Sequence, residues 1–104
     1  MTLLPGAERA HPADLYGCPS GAVCIYARDQ PAGSSTLTDT YWSSGAHNLS
    51  DHYGWHWVVN NRRGGAGATL CHRFDGGDCT GATVPTGSWV AADLGPIHSI
   101  RLDP

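Results

Sequence analysis

An apolar residue followed by cysteine occurs twice in this chain, in Val23-Cys24-Ile25-Tyr26 and in Leu70-Cys71-His72-Arg73, 47 positions later (24 to 71). Trp42 and Trp89 repeat at the same offset (42 to 89). Asn48-Leu49 and Asp93-Leu94 follow them at an offset of 45 (48 to 93). Each segment then closes on an apolar stretch, Trp57-Val58-Val59-Asn60-Asn61-Arg62 in the first and Ile97-His98-Ser99-Ile100-Arg101 in the second. Landmarks in one order at a nearly constant offset read as an internal duplication. A unit this short cannot bury an apolar face alone, so the two copies are expected to pack on each other.

Each copy carries its own cysteine pair, Cys18/Cys24 and Cys71/Cys79. An even count in a chain of 104 residues suggests a disulfide framework and an oxidising compartment. Four cysteines allow three connectivities; the local pairs are favoured because each lies within one copy. The competing reading is one zinc site built from all four, which normally shows two tight C-x2-C knuckles that are absent here. A core of this size is modest, so cross-links would support it.

Gly (14) and Pro (7) make up about a fifth of the chain and punctuate it with turns. Residues 1–17 show no clear periodicity and read as a loosely docked arm before a single domain at 18–104. Strands are expected at Val23–Arg28, Ser35–Thr40, His52–Asn61, Thr69–Phe74, Ala82–Thr86 and Ile97–Leu102. No window has the caps and period of a long helix, so the fold class is all-β, a sandwich or barrel. No apolar run approaches a membrane span, and no signal peptide is recognisable at the N-terminus. If the protein is secreted, such a signal has been removed. The net charge is −3 and the six cations are scattered apart from Arg62-Arg63, which argues against a nucleic-acid partner.

Cys18-Pro19-Ser20-Gly21-Ala22-Val23-Cys24-Ile25-Tyr26, Asn48-Leu49-Ser50-Asp51, Val58-Val59-Asn60-Asn61 and His98-Ser99-Ile100-Arg101 resemble the βγ-crystallin fold. More closely, they are similar to the actinobacterial metalloproteinase-inhibitor family that uses one such domain. The resemblance implies a two-sheet sandwich of two Greek-key motifs, at about 18–62 and 68–104. It also implies a secreted monomer that blocks thermolysin-like zinc metalloproteases with an exposed, disulfide-braced loop. Relatives of the same fold include calcium binders and antimicrobial toxins that act on a metal or cell-wall partner, so fold alone does not fix function. The stretch that would hold calcium carries Leu94-Gly95 in the second copy and Tyr53-Gly54-Trp55-His56-Trp57 in the first, a poor supply of oxygen ligands. No metal and no cofactor are expected.

Three regions are candidates for a site. Cys71-His72-Arg73-Phe74-Asp75-Gly76-Gly77-Asp78-Cys79 is the first choice for a protease-binding loop, with Arg73 and Phe74 offered to the apolar pocket beside a zinc ion. The plainer reading is a cross-linked hairpin that only stabilises its copy. Asn61–Ala68, with Arg62 and Arg63, is the second choice, but its glycines fit an inter-repeat linker. The third is a pocket on His52, His56, Trp55, Trp57 and His72, which would suit a small enzyme. On one strand, Tyr53, Trp55, Trp57 and Val59 share a face expected to be core. His52 and His56 share the opposite face, about 13 Å apart. An exposed Trp55 or Trp57 would instead point to a carbohydrate or peptide surface. His72, aligned with Ile25, is expected to pack beside Leu70 and Phe74. No catalytic motif is present, so the chain is not expected to be an enzyme.

Overall fold

The structure is a computed structural model that describes residues 15–30, 37–50, 52–64 and 66–104. Most of the expected N-terminal arm, residues 1–14, and the start of the expected strand at Ser35 lie outside the described residues. The described chain is all-β, with eight strands in two antiparallel sheets. They are β1 (Val23–Tyr26), β2 (Leu37–Tyr41), β3 (Gly45–Asn48), β4 (Trp55–Asn60), β5 (Ala68–Cys71), β6 (Thr83–Val84), β7 (Ser88–Asp93) and β8 (Ser99–Leu102).

The sheet orders are β2-β1-β4-β7 and β3-β8-β5-β6. The first half, β1–β4, keeps three strands in one sheet and lends β3 to the edge of the other. The second half, β5–β8, lends β7 in return. This exchange makes each sheet depend on both halves of the chain. β3 pairs with β8 from Gly45↔Leu102 to Asn48↔Ser99, and β7 pairs with β4 from Trp55↔Asp93 to Asn60↔Ser88.

Between the sheets lies the main core: Val23, Ile25, Leu49, Val58, Ala68, Leu70, Val84, Leu94, Ile97, Ile100 and Leu102. The repeated leucines Leu49 and Leu94 both sit in it. Burying each such side chain contributes about 1.5–3 kcal/mol. The outer face of the first sheet carries a second, smaller cluster of Cys18, Ala22, Cys24, Tyr26 and Val59, with Leu15, Leu37 and Trp57 against it. The segment Leu15–Ala22 lies over this face, held by the Cys18–Cys24 disulfide. The other disulfide joins Cys71 to Cys79, so both bonds are the local pairs and no four-cysteine zinc site exists.

The faces of β4 are the reverse of the expectation. His56, Val58 and Asn60 point inward and are buried, whereas Trp55, Trp57 and Val59 face out. Val59 and part of Trp57 are covered by Leu15–Ala22 and the first disulfide, but Trp55 remains 56% exposed. The period-two alternation holds, but the inner side is the one with His56, Val58 and Asn60, because Leu15–Ala22 and the first disulfide cover Val59 and part of Trp57 from outside.

Candidate functional site

The loops that follow the exchanged strands meet at one end of the sandwich. Leu49 N–H donates to the His98 carbonyl (3.0 Å), and Leu94 N–H donates to the Gly54 carbonyl (2.9 Å). These reciprocal bonds bring the β3–β4 and β7–β8 connections side by side. Between them opens a groove of about 300 Å³, lined by Leu49, Ser50, His52, Tyr53, Phe74, Gly95, Ile97 and His98. Phe74 reaches it from the second disulfide loop, with its ring 4.8 Å from that of His98.

That loop is a hairpin whose tip is tied down from below. At its base, the Cys71–Cys79 bond spans the two arms. Above it, His72 N–H donates to Asp78 O (2.9 Å) and Arg73 N–H to Gly77 O (3.1 Å). The tip is a single 3₁₀ turn, Phe74–Gly76. Asp75 adopts a left-handed backbone there (φ 60°), a conformation Asp tolerates better than most residues. Two scaffold side chains fix it. Asn48 on β3 donates from Nδ2 to Asp75 Oδ1 (3.1 Å) and accepts from Asp75 N–H at its Oδ1 (2.7 Å). Buried Ser99 on β8 donates from Oγ to Arg73 O (2.6 Å) and accepts from Gly76 N–H (3.0 Å). A side chain at Gly76 would meet the Ala46 Cβ at 3.0 Å, so the tip lies directly on β3. What remains free is the outer surface: Arg73, Phe74, Asp75 and Asp78 are exposed, with Gly76 and Gly77 beneath them.

His72 is not packed as expected. β5 ends at Cys71, so His72 leaves the core face and sits half-exposed, its Nδ1 3.2 Å from Thr80 Oγ1. Arg62 and Arg63 lie at the other end of β5 from the 71–79 loop, so the two expected protease-facing segments do not share a surface. They are not loose: Arg62 Nη1 bonds the Asp103 carbonyl and its Nη2 donates to Ser44 Oγ (3.0 Å), while Arg63 Nε donates to Ser20 Oγ (2.9 Å).

His52 and His56 are much closer than a strand would allow, with ring centroids 5.5 Å apart. β4 starts only at Trp55, and the left-handed Gly54 (φ 78°) folds the preceding residues back over it. His52 Nε2 lies 2.7 Å from Asp39 Oδ1 and its Nδ1 lies 2.7 Å from Ser50 O. His56, buried, faces Tyr26 O at 2.7 Å and Tyr53 O at 3.0 Å. Each ring nitrogen therefore lies within hydrogen-bond distance of an oxygen. All four ring nitrogens are thus already engaged within the fold. Among the described residues, no three His, Cys, Asp or Glu side chains gather as a metal-holding group. The pocket expected on His52, His56, Trp55, Trp57 and His72 is thus not one pocket: His56 is walled in, Trp55 and Trp57 face the outer side of the sheet, and His52 alone reaches the groove.

Asp39 is the keystone of this end. Burial pushes its carboxyl up, but hydrogen bonds from Tyr41, Thr38 and His52, with the His52 charge, outweigh that and hold it below the ordinary value. Tyr41 donates to Asp39 Oδ2 (2.8 Å), and burial together with that acceptor pushes the phenol well up. A lowered carboxyl stabilises the fold above its unfolded value and loses that contribution as pH falls through the folded one. Asp39→Asn is therefore expected to cost about 1–2 kcal/mol at pH 7. The gap from the parent protein should narrow in urea titrations run below about pH 4.

Asn48, Ser99 and Asp39 are not among the site residues expected from the sequence. Ser99 and His98 carried a signal, since both fall in the closing stretch of the second copy. Asn48 did so through the Asn48-Leu49 landmark. Asp39 carried none, because its histidine partner is distant in sequence. The fold and this end groove define a small, doubly disulfide-bonded all-β protein with a pinned surface loop. No family model, no curated protein and no solved structure matches the chain.

Proposed function

We propose that the protein inhibits zinc metalloproteases of the thermolysin type by presenting the Cys71–Cys79 loop to the catalytic cleft. The observation that carries this reading is a loop tip immobilised by Asn48 and Ser99 while Phe74 stays 55% exposed at its outer surface. Binding costs least when the binding segment is already ordered, and an aromatic anchor on a rigid base is the usual centre of such an interface. Phe74 fills the apolar pocket next to the zinc, and Arg73 lies along the rim. The loop blocks the cleft and carries out no chemistry of its own.

The opening Cys18–Tyr26 motif, the two local disulfides and the exchanged third strands also favour a crystallin-like sandwich of two Greek keys. The disulfides are compatible with a secreted protein. The monomer is the inhibitory species in this reading.

The test is a titration of thermolysin with the full chain. Inhibition is expected, and Phe74→Ala is expected to weaken it about 30-fold or more, the loss of a hot-spot side chain. Arg62→Ala with Arg63→Ala, at the other end of β5, should leave it unchanged. No inhibition by the parent protein at about 10 μM would sink the proposal.

A further inference from the structure

Among the described residues, the outer face of the first sheet is only half covered. Leu15–Ala22 and the first disulfide lie over its β1 side and reach Trp57. Beyond that line Trp55, Trp57 and Trp89 stand together on β4 and β7. Trp57 and Trp89 are in ring contact at 3.8 Å between centroids, and Trp55 lies two residues further along β4 on the same face, about 7 Å away. Trp55 is 56% exposed and Trp89 40%. Ala91, the residue paired with Trp57, is small and leaves the rings unobstructed. Charged groups collect at the Trp55 end. Exposed Asp93 is the cross-strand partner of Trp55. Arg28 and Asp29 form an exposed ion pair at 3.7 Å, and Asp29 N–H donates to Trp55 O (2.8 Å).

We infer that this strip is a binding platform for a β-linked polysaccharide chain. The bare parts of the three rings amount to roughly 300 Å². A stable protein partner needs about 800 Å² on each side, so the strip is too small for one and large enough for a short run of sugar rings. A β-linked hexopyranose with equatorial hydroxyls shows C–H groups on its flat faces and hydroxyls on its edges. The indole faces match the first, and the Asp93, Asp29 and Arg28 side chains match the second. The strip is built on two paired strands, so it is ordered before the ligand arrives. It lies on the outer face of the first sheet, whereas the 71–79 hairpin follows β5 of the second, and it does not depend on the inhibitory reading.

The experiment is calorimetry and tryptophan fluorescence on the full chain with cellohexaose and chitohexaose, with maltohexaose as the α-linked control. At least one β-linked oligomer should bind saturably with a Kd below about 1 mM. Trp55→Ala and Trp89→Ala should each weaken that binding about tenfold or more. Asp93→Ala, which leaves the aromatic surface intact, should weaken it about threefold or more. Trp42→Ala, outside the strip, should not change it, and Trp55→Ala should leave protease inhibition as it was. Absence of binding to both β-linked oligomers overturns the inference, as does binding insensitive to Trp55→Ala and Trp89→Ala. Equal affinity for maltohexaose overturns the β-linked assignment. Concentration-dependent dimerisation that Trp55→Ala abolishes would show the face to be a protein interface instead.

Discussion

Asn60→Asp is expected to cost about 3–5 kcal/mol of stability, a large share of what a domain of this size possesses. Asn60 is fully buried at the end of β4. Its Nδ2 donates to Ala66 O (2.9 Å) and Val84 O (2.8 Å), and its Oδ1 accepts from Arg62 N–H (2.9 Å). One amide thus joins the first half, the connection between halves and β6 of the second. The aspartate is nearly isosteric, so packing is retained and only the hydrogen bonding changes. A carboxylate oxygen would then face two carbonyl oxygens where a donor is required, with its charge buried and unpaired. Asn60→Ala should cost less, about 1–3 kcal/mol, because it strands the same carbonyls without adding a charge. Urea denaturation at pH 7 should therefore rank the alanine variant above the aspartate variant. The order should compress toward about pH 5, because burial raises the introduced carboxyl and its protonation restores one donor. Equal losses for the two variants would show that lost packing, not polarity, governs the site.

Much of this architecture is legible in the sequence, and the gaps have physical causes. Both disulfides and six of the strands follow from cysteine spacing, apolar runs and turn residues. The two strands not anticipated are β3 and β7, the ones exchanged between halves. β3 reads Gly45-Ala46-His47-Asn48, with no β-branched or aromatic residue, and exists because β8 lies beside it, about fifty residues later in the chain. In β7, Ala91 and Ala92 weaken a pattern that the structure nevertheless half-buries on alternate residues. Local propensity cannot report a strand whose stability comes from a distant partner. The same limit governs the site. His52 and His56 look far apart if the strand is continuous, and only the backward turn at Gly54 brings them to Asp39 and to each other. The inversion of β4 has a different origin. Both sides of this sheet are partly covered, so the more aromatic side is not automatically the inner one.

Replacing Cys71 and Cys79 together by serine is expected to cost about 2–3 kcal/mol, since the bond closes a short loop in the unfolded chain. That corresponds to a fall in Tm of roughly 10–20 °C for a domain of this length. The loss should not spread evenly over the hairpin. The amides of His72 and Arg73 bond to Asp78 O and Gly77 O across the two arms, directly above the disulfide. Once the base can open, these amides should exchange with solvent faster relative to the core strands. The amides of Asp75 and Gly76 bond instead to Asn48 and Ser99, side chains rooted in β3 and β8. They should keep most of their protection, because their acceptors belong to the scaffold and not to the opposite arm. Hydrogen exchange on the oxidised parent and the serine variant separates the two groups. Uniform loss across all four amides would mean that the disulfide alone orders the tip. Retention at Asp75 and Gly76 would mean that the scaffold aims Phe74, while the covalent bond acts chiefly on the unfolded chain. In that case Asn48→Ala, which removes two hydrogen bonds and no cross-link, should loosen the tip more than reduction does, at a smaller cost to global stability of about 1 kcal/mol.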